Sequence, residues 1–342
     1  MAFTAGELAN IANAALDFYI RGPANSNIKQ ARPLTNAFDR AKKTFPGGKA
    51  EISGAVKGVY TTALSGYTHD DQVTYNNPAN ILRCSIPWRE HHAGVGLTMT
   101  ELKIDGISVT DSMRNSGTSK HSQRELTVLA GLLEDKMEDM MEGYWRSLDA
   151  LYHDDGTTDA KALAGIAYWI TDAPATGTVG GIDAAANAWW RNRSLLLIAP
   201  ATTPLASVMH TEMRQLRRFG GRPNLIIAGS DFLDALQAEL LANGIYTQTG
   251  WNRRENTDMG MAEVSYNGLV FQYDPGLDDA GKAKYCYVID TKHLFPYVMD
   301  QEDMKRHNPA RPHDQYTWYT ALTTTCQLYC NQRNAQGVYS IA

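Results

Sequence analysis

The chain has little that a catalyst or a secreted domain needs. Its four cysteines, Cys84, Cys286, Cys326 and Cys330, form no CxxC pair, and no histidine stands beside them at zinc-ligand spacing. They read as buried or half-buried reduced thiols, with Cys326 and Cys330 on one face of their element. No apolar run approaches the ~18 residues that span a bilayer. The first twenty residues carry Glu7 and Asp17 but no basic n-region, which excludes a signal peptide. The sequence therefore predicts a soluble protein made in a cytoplasm. Positive charge is not in excess: 32 Lys and Arg stand against 37 Asp and Glu, a net charge of −5. That excludes tight phosphate-driven binding of nucleic acid.

Catalytic motifs are missing too. There is no G-x-S-x-G elbow and no H-E-x-x-H. Gly177, Gly180 and Gly181 lack the spacing and the lysine of a phosphate loop, and read as a tight turn. His91 and His92 are neighbours on a strand, so they point to opposite faces and do not share a metal. His153 falls at a helix end, where the negative pole favours it. A hydrolytic carboxylate pair would need a cleft, and nothing in the sequence indicates one. No metal, cofactor or catalytic residue is expected.

What is present is shape. With 342 residues, 43% hydrophobic, the chain can bury a sizeable core. Residues 4–20 read as an amphipathic helix capped by Thr4, with Glu7 completing a capping box. Residues 21–49, with Pro23, Pro33, Pro46, Gly47 and Gly48, read as an extended arm with few local contacts. From 50 to 109 the texture is β: two apolar runs flank a polar tip over 66–80 that holds Tyr67, His69, Asp70 and Asp71, as in a projecting hairpin. A further β run covers 95–107.

The strongest periodicity lies in 119–152. Leu126, Leu129, Leu133, Met137, Met140, Tyr144, Leu148 and Leu151 recur three or four apart without a proline. This predicts one helix of roughly 50 Å, whose single stripe asks for an extended partner surface. Beyond it, 163–170 reads as a strand or buried turn, 195–198 as a buried strand, 203–219 as a helix and 225–228 as a buried strand. Another helix starts at Ser230 or Asp231. Strands follow at 263–273 and 284–291, and 315–330 reads as a long alternating strand.

Two groups are candidate contacts. Arg214, Arg217 and Arg218 fall at i, i+3 and i+4 on one polar helix face. That face suits weak DNA contact or an acidic patch on a neighbouring subunit, the second being preferred. Trp251, Arg253 and Arg254 mark either an interaction surface or a plain surface loop. Segments that cannot bury themselves favour an obligate assembly.

Several strings, in order, resemble the tailed-bacteriophage major capsid proteins. They are Arg32-Pro33-Leu34 and the run from Lys43 to Lys49, Trp88 to Leu102, and Tyr152 to Thr157. Gly180-Gly181-Ile182-Asp183 with Trp189-Trp190-Arg191-Asn192, and Arg333 to Val338, complete the set. The resemblance runs from about residue 30 to the end. It implies an α+β coat fold: an N-terminal arm (1–48), an extended β-hairpin loop (49–100), a peripheral domain with a spine helix (101–198 and 300–342) and an axial domain (199–299). It also implies a non-enzymatic shell subunit that forms pentamers and hexamers around DNA in the phage head, built in the bacterial cytoplasm. Portal protein and, on some shells, decoration proteins would be its partners. Some relatives carry a scaffolding segment ahead of the arm. With the arm starting near residue 1, a separate scaffolding protein is expected instead. Some relatives also weld subunits through a lysine on the extended loop, yet no lysine lies between Gly58 and Arg83. The competing readings are an α/β enzyme with a cryptic site and a tail or baseplate protein.

Overall fold

The computed structural model describes residues 3–4, 11, 32–58, 63–73, 75, 81–105, 109–110, 123–218, 220–242, 264–266, 268–307 and 316–342. In chain order its elements begin with β1 (Phe3–Thr4), α1 (Pro33–Ala41), β2 (Lys43–Phe45), β3 (Glu51–Lys57), β4 (Ile81–Pro87), β5 (Arg89–Thr98), α2 (Met99–Ile104) and β6 (Val109–Thr110). Next come α3 (Gln123–His153), α4 (Ile166–Trp169), β7 (Thr178–Val179), β8 (Ile182–Asp183), β9 (Arg193–Ile198), α5 (Leu205–Arg218), β10 (Leu225–Ala228) and α6 (Ser230–Ala242). The last are β11 (Ser265–Tyr266), β12 (Leu269–Tyr273), α7 (Pro275–Asp279), β13 (Tyr285–Ile289), β14 (Leu294–Met299), β15 (Lys305–His307), β16 (Thr317–Cys330) and β17 (Gly337–Ile341). The amphipathic stretch 4–20 lies mostly outside the described residues; Phe3–Thr4 pair in parallel with Val109–Thr110.

The arm is not extended throughout. Pro33 occupies the first turn of α1, where its missing N–H costs nothing. Leu34 and Phe38, one turn apart, are fully buried, and Phe38 meets Tyr152 of α3 edge to face at 5.1 Å. The prolines mark a helix start here as well as loops, so the expectation of few contacts fails for this part. β2 then adds in parallel to β14.

β3 and β4 pair antiparallel from Glu51↔Pro87 to Lys57↔Ile81, which is the expected hairpin. Its base is seated tightly, because a Cβ on Gly54 would fall 2.1 Å from the Tyr329 hydroxyl of β16. The second β run ends earlier than expected, at Thr98. There Thr98 accepts from the Glu101 N–H and Glu101 accepts from the Thr98 N–H, a capping box that turns 99–104 into α2.

α3 spans 31 residues, about 46 Å. Leu133, Met137, Met140, Tyr144 and Leu148 are buried as the stripe requires, and the Tyr144 hydroxyl meets Thr324 Oγ1 of β16 at 2.8 Å. β16 is the axis of a five-stranded sheet. β5 runs along one side of it, and β15 and β14 share the other. Because α3 covers one face of that sheet and the rest of the core covers the other, β16 is buried on both faces along most of its length, not alternately. Residues 166–169 form a short helix and not a strand.

The second sheet runs β11-β12-β10-β13-β17-β9. Along its central strands alternate side chains enter two different cores. Leu225, Ile227, Tyr287, Ile289 and Val338 join the core under α3. Ile226, Ala228, Cys286, Val288, Tyr339 and Ile341 join a second core with Leu205, Met209, Met213 and Leu216 of α5 and Phe232 and Leu236 of α6. Burial on both faces explains why these strands read as unbroken apolar runs. β9 departs from the expected buried strand. It is a sheet edge, with Leu195 41% and Leu197 76% exposed.

The cysteines are free and buried, and burial pushes the Cys84, Cys326 and Cys330 thiols up to about 12. Among the described residues no helix is long and apolar enough to cross a membrane.

Candidate functional site

The hairpin tip is the first candidate. Every described residue from 63 to 75 is exposed. Tyr67, His69, Asp70 and Asp71 lie together on it. The Asp71 carboxylate accepts from the Thr68 N–H and from its hydroxyl, each at 2.8 Å, which closes the turn and holds this carboxyl below its ordinary range. The tip is less polar than its Asp and Asn content indicates. Leu64, Tyr67, Val73 and Tyr75 stand in solvent, and Ile81 and Leu82 continue the apolar surface down β4. Exposed apolar side chains grouped in this way make the tip a candidate contact face.

The second candidate is the outer side of α5. Its inner side buries Leu205, Met209, Met213 and Leu216, so Arg214, Arg217 and Arg218 share the exposed side. Arg222, beyond the Gly220-Gly221 stop, is exposed nearby. Glu212 fixes the helix: buried, it accepts two bonds from Arg193 of β9, at 2.8 and 2.7 Å. This bidentate geometry is the strong form of the pair. Trp251, Arg253 and Arg254 lie outside the described residues.

Other polar clusters were not foreseen. Arg333 is fully buried, and among the described residues its partners include no carboxylate. It donates to the carbonyls of Trp169 and Trp190, to Asn192 Oδ1 and to Thr171 Oγ1, and burial lowers it to about 10. It ties the link between β16 and β17 to α4 and to the Trp190 turn. That turn and the Gly180-Gly181 turn interlock, since Trp190 Nε1 donates to the Val179 carbonyl. The glycine-rich segment is the tight turn expected, with Gly180 at φ +61 against Cys84 and Trp169.

The structure also contains a cleft. It is lined by Arg32, Asp149, His153, Asp154, Asp155, Asp172, Asp279 and Lys282 among others. Asp149 and His153 line it and, with Asp274 beneath them, form a buried group whose ligand-type atoms lie within 4.8 Å of one another. Those atoms are engaged already. Asp149 accepts from Thr35 Oγ1 and from the Arg32 guanidinium, and Asp274 accepts from the Gly276 N–H and contacts His153 Nε2. With each of these side chains already bonded to partners from the protein, the donor set is that of an ion-pair network. His91, on β5, is half-buried and held below its ordinary value by burial and then by Arg89, while His92 faces out.

Two cores divided by a sheet, a long helix on a second sheet and a β3–β4 hairpin with an exposed tip make up the α+β architecture. Neither a protein-family model nor a curated relative matches the sequence. Solved structures do. The chain is similar to the capsid asymmetric unit of cyanophage A-1(L), with a TM-score of 0.66 at 15% identity over 90% of this chain and 92% of that one. It is similar to the capsid of a native GTA particle, with a TM-score of 0.51 at 13% identity over 90% of each chain. It also resembles the capsid of cyanophage P-SCSP1u, with a TM-score of 0.51 at 10% identity over 88% of this chain and 86% of that one. The chain has the α+β fold of the tailed-phage capsid proteins.

Proposed function

We propose that this chain is a major capsid protein, a non-catalytic subunit that assembles with itself into the icosahedral head shell of a tailed bacteriophage around double-stranded DNA. The observation that carries the reading is the likeness to the cyanophage A-1(L) capsid over nine-tenths of both chains. The exposed apolar hairpin supports it, because no other described residue covers that surface and a neighbouring subunit would. In this reading residues 1–48 are the arm and 49–100 the extended loop. Residues 101–198 with 300–342 are the peripheral domain, and 199–299 the axial domain. Tyr67, His69, Asp70 and Asp71 contact one neighbour, and Arg214, Arg217, Arg218, Trp251, Arg253 and Arg254 contact others within pentamers and hexamers. The net charge of −5 suits a container that must release its genome. A separate scaffolding protein, a portal and decoration proteins are the proposed partners, with assembly in the host cytoplasm.

Size separation and electron microscopy of the expressed chain, with and without a scaffolding partner, test this. Closed shells or capsomer rings are expected. A compact monomer or dimer under all these conditions overturns the reading, and tubes point to a tail protein.

A further inference from the structure

The ion-pair network under the cleft joins three stretches far apart in sequence. Arg32 and Thr35 come from the start of α1, Asp149 and His153 from the last turns of α3, and Asp274 caps α7 through the Gly276 N–H. His153 is at the centre. Its Nδ1 lies 2.8 Å from the Asp149 carbonyl oxygen, which can only accept, so Nδ1 carries a proton. Its Nε2 lies 3.1 Å from Asp274 Oδ2. A neutral ring would turn the Nε2 lone pair onto that carboxylate, where the side chains are 1% and 0% exposed. Two acceptors facing each other without water are costly. An imidazolium donates from both nitrogens and satisfies both partners.

The geometry points to a proton-dependent joint: protonated His153 locks the end of the spine helix α3 to α7, and loss of that one proton releases it. The fit is close, since a Cβ on Gly276 would fall 2.6 Å from His153 Cε1, so α7 lies flush on the ring. The charges around the ring act in the same direction. Asp149 Oδ2 is 3.7 Å from Nδ1 on the α3 side, and Asp274 faces Nε2 from the α7 side. Arg32 opposes them but is taken up by Asp149, with Asp279 3.8 Å away. Asp154 and Asp155 after α3 and Lys282 after α7 line the open side. Burial acts to lower His153. The bond to Asp274, the charges of Asp274 and Asp149, and the Asp149 carbonyl outweigh it and hold the ring above its ordinary value.

The folded-state value is raised. The joint is therefore complete below the unfolded value of about 6.5 and is lost as pH rises through the folded value. Between those two points the closed form holds one more proton than the open form, so the opening constant rises about tenfold per pH unit. The joint rests on the geometry of a single chain, so its failure leaves the shell reading untouched.

Hydrogen exchange of the full chain across a pH series, corrected for the intrinsic chemical rate, reads the opening of residues 274–282. Asp274→Asn is the informative variant. Asn caps a helix as Asp does, and its amide donates to a neutral Nε2. Wild type is expected to show opening that climbs with pH above about 6.5, and D274N a flat profile. Identical profiles in the two proteins, or a flat profile in wild type, overturn the joint. The wild-type profile decides alone if D274N does not fold.

Discussion

Leu133 sits mid-stripe on the spine helix and is 0% exposed. Leu133→Asp places an unpaired carboxylate in that core, at a cost of about 3 kcal/mol or more. Insoluble protein is expected, and the soluble fraction on expression measures it. Wild-type soluble yield would mean that the stripe faces solvent. Residues like this one were legible because helical spacing alone identifies them. His153 and Arg333 were not. His153 was read from its place at a helix end, but its partner Asp274 lies 121 residues away, and spacing carries no trace of such a pair. Arg333 has the composition of a surface residue. Nothing local announces that carbonyls from two other segments converge on it.

At the scale of elements, long periodic segments were placed correctly, as were the short buried strands β10 and β13, while several other short elements were not. α3 and α5 repeat their pattern often enough to be unambiguous, and β16 was placed as a long strand although it is buried on both faces and not alternately. α1 was hidden because Pro33 looked like loop punctuation, and α2 because a capping box interrupted what looked like continuing strand. β9 was read as buried because an edge strand with exposed leucines has the same composition as a central one. The hairpin was expected and its strands pair, but its tip holds more apolar surface than its polar residues indicated. No other described residue covers that surface. Amides of residues 63–73 are therefore expected to exchange at nearly the rate of a free peptide in the isolated subunit, and to become protected on assembly. Hydrogen exchange of both forms checks this, and strong protection in the free subunit would contradict the proposed role of the loop.

For the whole molecule, the fold class was legible from the order of elements, while the proposed contact surfaces rest on charge and polarity alone. Arg217→Glu reverses the middle charge of the exposed α5 face. Failed or aberrant shells are expected from purified coat and scaffold in the absence of DNA. Normal empty shells with altered genome retention would assign that face to DNA instead. Shell cohesion is expected to be non-covalent, because the loop between Gly58 and Arg83 offers no lysine amine for a cross-link. Mature particles on a denaturing gel should give one band near 37.8 kDa. A ladder of multiples would show a weld made from elsewhere in the chain.

The central position of β17 has a consequence for synthesis. It lies between β13 and β9, pairing antiparallel with one and parallel with the other, and all five of its residues are buried. Yet it is translated after every other strand of that sheet. Until it emerges, β13 and β9 are not neighbours, and each presents an unpaired edge to the cell. The sheet is therefore completed only once β17 has been made. A chain interrupted before Gly337 is left with two unpaired strand edges, so the fold cannot close this sheet in a fragment that lacks β17.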